Sequence, residues 1–300
     1  MEEEKQFDVY QGHGGHNKCL DGYENITDFW SEYLPKTIQE GGILAQTERK
    51  VTMTDLDEED VSKEGAQIQV HAALLGNEES PRLVALIAMN EAAKTNQLVS
   101  CYPEYDGAEV QVRLTEIHEW AGSLEATLEG ETQGTVVRPI SFFDTRYAFN
   151  KHRYQVGEVY TFKLAAFGYR AEVLTEAQRT FSFEGEKAVQ FLERCGKTPE
   201  LNDDGSVKPV IFHLDELVAL FQSSVACPDD AEFQSPILSE VETFEKFGGA
   251  FKRFEIAIAR EDDDLVKVPM VIKTKALTGE AKQGDPICGM LWLQGYFAEV

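Results

Sequence analysis

The chain has 300 residues, 42% of them hydrophobic, with 53 acidic and 28 basic side chains and a formal net charge of -25. That length suits about two to three domains with real cores, while the charge opposes binding to nucleic-acid backbones and anionic membranes, whose recognition rests on Lys and Arg. No window approaches the roughly 18 apolar residues of a membrane-crossing helix, and the start MEEEKQFDVY is acidic where a secretory signal is basic and then apolar.

The five cysteines are scattered without a CxxC pair, as reduced thiols are, so a cytoplasmic protein is expected. Residues 11–22 are rich in Gly and His and carry His13-x2-His16-x2-Cys19. These side chains are zinc-capable, but a structural zinc site needs four ligands and usually draws them from two knuckles. No second knuckle follows, so no metal and no cofactor is predicted, with His13, His16 and Cys19 the only candidates. Thr27 reads as an N-cap for a short helix whose apolar face is Phe29, Trp30, Tyr33 and Leu34, ending near Pro35.

Residues 51–54 suit a strand, and 55–64, with six acids and one lysine, an acidic loop without the calcium-hand spacing. Ile68, Val70, Ala72 and Leu74 alternate with polar or small neighbours, and the run turns through 76–80 into the apolar 83–89, a hairpin. Residues 90–98 suit a short helix. Val110, Val112 and Leu114, then Leu124, Ala126 and Leu128, alternate on either side of a loop at 118–122. They form a second hairpin.

Residues 134–174 hold the strongest strand signals. Tyr160, Phe162, Leu164 and Ala166 alternate, then the parity flips to Phe167, Tyr169, Ala171 and Val173, which predicts a bulge near Gly168 in a long, bent barrel strand. Between Thr135 and Leu174 six bases face three acids, against the trend of the chain. The connection holding Arg146, Tyr147, Lys151, His152, Arg153 and Tyr154 interleaves cations with rings. Such a loop is suited to a phosphate, a carboxylate or a base, including single-stranded nucleic acid.

The run of antiparallel strands over 102–174 resembles an oligonucleotide/oligosaccharide-binding (OB) barrel in strand count and in its bent strand. Farther on, helices are predicted over 186–195, stopped by Gly196, and over 215–222. Then comes a hairpin pairing Phe254, Ile256 and Ile258 with Val266, Val268, Met270 and Ile272. The last run, 287–297, is apolar on both faces, as a strand buried between layers or at an interface is. Gly157 and Gly284 each stand with an acid at the entry to a strand, hinting at two related β units.

The expected fold is therefore α+β and β-rich. It comprises an N-terminal α+β unit (1–100), an OB-like antiparallel barrel (101–176), a helical connector (177–234) and a C-terminal β unit (235–300), giving one or two small OB-like barrels. No G-x-S-x-G, P-loop, H-E-x-x-H or G-x-G-x-x-G is present. The expected function is binding or interaction without catalysis, with a protein partner, of basic character if acidity guides the contact. The alternatives are an enzyme whose site, metal-dependent or not, is assembled from distant residues, and an acidic nucleic-acid mimic that blocks a basic partner.

Overall fold

The computed structural model describes Cys19 and residues 26–55, 65–222 and 229–298. The N-terminal part opens with α1 (Ile26–Glu40), followed by β1 (Gly42–Gln46), β2 (Val51–Asp55), β3 (Ala66–Gly76), β4 (Arg82–Asn90) and β5 (Thr95–Glu104). The sheet runs β1-β3-β4-β5, with β2 pairing the first half of β3. The helix does not stop at Pro35. Tyr33 and Leu34 pack it onto the sheet core, Thr37 Oγ1 donates to Tyr33 O at 2.9 Å, and the helix ends at Glu40, just before Gly41. Thr27, expected as the N-cap, falls within the helix, whose first residue is Ile26; the side chains of Thr27, Phe29 and Trp30 lie outside the described residues, as do His13, His16 and residues 56–64.

Residues 90–98 are not helical. Asn90 Oδ1 accepts hydrogen bonds from the backbone N–H groups of Ala92 and Ala93, and Lys94 sits at φ 56°, so a side-chain-stabilised turn feeds straight into β5.

The central part contains β6 (Ala108–Glu119), β7 (Ala126–Thr132), β8 (Pro139–Asp144), a single-turn α2 (Tyr147–Asn150) and β9 (Val159–Val173). Next come β10 (Thr180–Phe183), α3 (Gly185–Arg194), β11 (Val210–His213) and β12 (Ala219–Gln222). The stretch expected to be a helical connector thus holds, among its described residues, one helix among strands. Residues 219–222, apolar enough to suit either state, become β12 because they pair with β13 (Asp230–Pro236). The chain ends with β14 (Glu242–Lys246), β15 (Gly249–Glu261), β16 (Asp264–Lys273), β17 (Leu277–Thr278) and β18 (Pro286–Phe297).

The fold is α+β and β-rich, and it contains a closed five-strand barrel. Its ring runs β6-β7-β8-β18-β9 and back to β6. Only the β8–β18 contact is parallel. The barrel is therefore not completed within 101–176, because its fifth wall arrives from the far end of the chain. Strands β9 and β18 run antiparallel over 162–173 and 287–297, and beyond the barrel they carry β16 and β13 on their outer edges. The bridge Ile237↔Ile256 and the bond from Ala257 N to Ser235 Oγ link β13 to β15, so that β13, β18, β9, β16 and β15 form a second ring.

The two rings share one apolar cluster, with Val112, Leu128, Phe142, Phe162 and Leu293 in the first and Phe233, Ile256, Val268, Met270 and Leu291 in the second. At their junction Met290 pairs Arg170 while Leu291 pairs Gly168, leaving Tyr169 as the extra residue of a bulge. The parity flip of β9 has this cause. Phe143, Phe167 and Trp292 point the other way and meet Leu74, Leu86 and Tyr102 of the N-terminal sheet, with Tyr102 edge-on to Phe143 at 5.2 Å. Strand β18 is thus an inner strand, and Trp292 is fully buried with Nε1 donating to Asp229 Oδ2 at 2.7 Å. The turn glycines Gly157 and Gly284 have φ of 96° and 89°, so the same backbone device enters β9 and β18.

Two substitutions test this packing. A Cβ on Gly289 would lie 2.1 Å from Arg170 O and 2.7 Å from Ala171 Cα, so Gly289→Ala must push β18 off β9. A loss of about 2 kcal/mol or more in urea unfolding is expected, and an unchanged midpoint would contradict the close approach. The amide of Gln294 is wholly buried with no hydrogen-bond partner among the described residues. Replacing an unsatisfied buried amide by an apolar group of similar shape is favourable, so Gln294→Met is expected to raise stability by about 1 to 3 kcal/mol in the same assay.

Candidate functional site

A buried group of charges joins the N-terminal sheet to the barrel. Glu104, at the end of β5, has no exposed surface. It accepts from Arg82 Nε and Nη2 at 2.8 and 2.6 Å, from Arg146 Nε and Nη2 at 3.1 and 2.9 Å, and from Thr145 Oγ1 at 2.7 Å. Burial alone would raise its pKa, but the bonds and charge of Arg146 and the charge of Arg82 outweigh that and hold it below the ordinary carboxylate range. Arg82 also grips Asp106, which accepts from Tyr296 Oη at 2.9 Å, and the guanidinium of Arg146 lies over the Tyr296 ring at 4.0 Å. The start of α2 and the end of β18 are thereby fixed against β4 and β5.

Beside this anchor a cleft of about 700 Å³ opens between the β1–β2 loop, α2 and the outer face of β6, β9 and β18. Its charged lining consists, among the described residues, of Arg49, Arg146, Arg153 and Lys163 against Glu48 and Glu109, with His152 beside them. Phe149, Tyr296 and Phe297 add ring surface. Lys163 is outward on β9, directly opposite Glu109 on β6 and Tyr296 on β18. His152 is pushed below its ordinary pKa, first by burial and then by the neighbouring charges of Arg49 and Arg153, so it is neutral at neutral pH. Arg146 gives Glu104 one bond each from Nε and Nη2, which leaves Nη1 and the second Nη2 hydrogen as donors.

Of the six loop residues expected to meet a ligand, Arg146, His152 and Arg153 line this cleft, with Arg153 over the Phe297 ring at 5.5 Å. Tyr147, Lys151 and Tyr154 do not. Lys151 Nζ donates to Glu119 Oε2 and Ser123 O, both at 2.7 Å, Tyr147 Oη donates to the same carboxylate oxygen at 3.0 Å, and Tyr154 Oη donates to Asp144 Oδ2 at 2.6 Å. These three fasten α2 to the barrel. The sequence reading missed Glu48, Arg49, Glu109 and Lys163. Strand parity does turn Glu109 and Lys163 outward, but nothing local brings the β1–β2 loop to them.

Two further groupings bear on chemistry. Cys19 is buried in the core under the N-terminal sheet. On the barrel exterior, a bulge at Thr115 turns Glu116 and His118 to the side of Glu129. His118 Nε2 lies 3.0 Å from Glu129 Oε1 and its Nδ1 3.5 Å from Glu116 Oε1, and the three ligand atoms fall within 4.8 Å of one another. Glu116 and Glu129 are direct cross-strand partners, and the imidazole of His118 lies against both. No helix among the described residues is long and apolar enough to cross a membrane. The chain matches no family model, no curated protein and no solved structure.

Asp144, buried at the end of β8, gives the site a pH signature. Burial pushes its carboxyl up to about 7, against the opposing bonds from Tyr154 Oη and Arg146 N. Because the folded value lies above the unfolded one, the neutral group's stabilisation is complete below the ordinary Asp range and is lost as pH rises through about 7. Urea unfolding at about pH 5 and about pH 8 should show wild type weakening more than Asp144→Asn, with a difference of up to about 3 kcal/mol. Equal pH dependence in the two proteins would show that Asp144 is ionised throughout.

Proposed function

We propose that this is a non-enzymatic binding protein, built on an OB-type barrel, whose cleft receives an anionic group of its ligand. Support for the OB plan comes from the ring itself: five strands in Greek-key order, the last inserted between the third and fourth, with α2 between those two in sequence. OB barrels take oligonucleotides across the face of their second and third strands. Here that face belongs to β7 and β8, where Phe143 is covered by Tyr102 and Gln222 of β12 bonds the backbone of Ser141. The open concavity is the cleft at α2.

The observation that carries the reading is Arg49 with Lys163. In a chain with 53 carboxylates, neither forms an ion pair among the described residues, although both line a cleft that also contains Glu48 and Glu109. Cations gathered this way repel one another, and an anion between them relieves the repulsion. The scattered catalytic alternative has weaker support among the described residues: Thr47 Oγ1 of the lining lies 3.5 Å from His71 Nδ1, but it is held by the backbone, accepting from Ala72 N at 2.9 Å.

Titration followed by amide NMR shifts, with inorganic phosphate and acetate as probes, tests it. Saturable shifts in the 47–50 loop and around Lys163 are expected, with at least about tenfold weaker binding in Arg49→Ala/Lys163→Ala. The unfolding midpoint should stay near that of wild type, because both side chains are solvent-accessible. Absent saturation, or equal affinity in the double variant, removes the anion site.

A further inference from the structure

Resting on that anion-binding reading, we infer that the cleft takes a compact phosphate ester bearing hydroxyl groups, of sugar-phosphate or nucleoside-monophosphate size. Three features of the lining point there. The cations come from separate elements, Arg49 from the β1–β2 loop, Arg146 from the start of α2 and Lys163 from β9. The fork of Arg146 is already spent on Glu104. Donors arriving from several directions, the open fork of Arg49 among them, suit the tetrahedral oxygens of a phosphate, whereas a planar carboxylate offers only two oxygens in one plane.

The second feature is the pair of carboxylates. Ionised Glu48 and Glu109 are acceptors only and would repel a phosphate placed against them. Glu109 sits across from Lys163 in the β6–β9 register and forms no ion pair with it, so both stay available to a ligand. A molecule that satisfies this alternation carries its anion at one end and hydroxyl donors at the other. The third feature is extent. A volume of about 700 Å³ is that of a small-molecule pocket, and a chain of net charge -25 repels any strand of phosphates running out of it. The ring surface of Phe149 and Phe297 inside the cleft gives a base or sugar face something apolar to cover.

The experiment is a calorimetric or NMR titration of the full chain with inorganic phosphate, ribose 5-phosphate, adenosine monophosphate and a single-stranded oligonucleotide of about ten nucleotides. Wild type and Glu48→Gln/Glu109→Gln are compared. Both phosphate esters are expected to bind at least about tenfold more tightly than inorganic phosphate. The double variant should bring that ratio toward one while binding inorganic phosphate as tightly or more tightly. Adenosine monophosphate carries adenine where ribose 5-phosphate carries its anomeric hydroxyl, so their ratio reports whether the rings contact the base more favourably than the cleft contacts that hydroxyl. Equal affinity for inorganic phosphate and the esters would leave an anion site and overturn the ester assignment, as would an oligonucleotide that binds more tightly than the mononucleotide. No binding by any probe would overturn both this inference and the anion-binding function.

Discussion

The arrangement depends on one buried carboxylate. Glu104 is shared by two guanidinium groups, Arg82 from its own sheet and Arg146 from the loop that follows β8, and no water-exposed surface remains on it. Removing either partner from such a group typically costs about 3 to 5 kcal/mol, because a charge is left buried and unmatched. The geometry is directional as well as strong. Both forks must be met at once, which sets the angle of the N-terminal sheet on the barrel and the height of α2 at its mouth. Tyr296, held between Arg146 and Asp106, transmits the constraint to the end of β18.

That constraint explains why the cleft exists. The β1–β2 loop belongs to the N-terminal sheet and the cations of α2 and β9 to the barrel, so the distance between them follows from how the two layers dock. The apolar contact of Tyr102, Phe143, Phe167 and Trp292 supplies most of the driving force, but it is non-directional. The charged group beside it selects one docking pose.

The second organising feature is the shared wall. Strands β9 and β18 are long enough to serve two rings, and the bulge at Tyr169 lets each turn one face toward both cores in succession. Because β18 is the last strand of the chain order and a wall of both rings, it closes the first barrel against strands far away in sequence. Insertions between β9 and β18, such as β10, α3 and β11, project from this wall without interrupting it.

Much of this was legible in the chain. Period-two patterning located β3, β6, β7, β9, β15 and β16, because a strand with one buried face must alternate, and the parity flip in 159–173 located the bulge for the same reason. Gly196 marked the end of α3 by its positive φ of 67°. Short apolar runs failed as guides where pairing decides the state, as at 219–222, and where a side chain caps a turn, as at Asn90. The basic aromatic loop was half a site: charge content alone could not tell Arg146, His152 and Arg153 from Lys151, whose partner Glu119 stands on β6. The amino-acid sequence by itself thus determined the local states and the burial of each face, since these follow from nearest neighbours. Which strand closes the barrel, and which cations meet across the cleft, only the tertiary structure decided, because those contacts join residues far apart in sequence and leave no periodic trace.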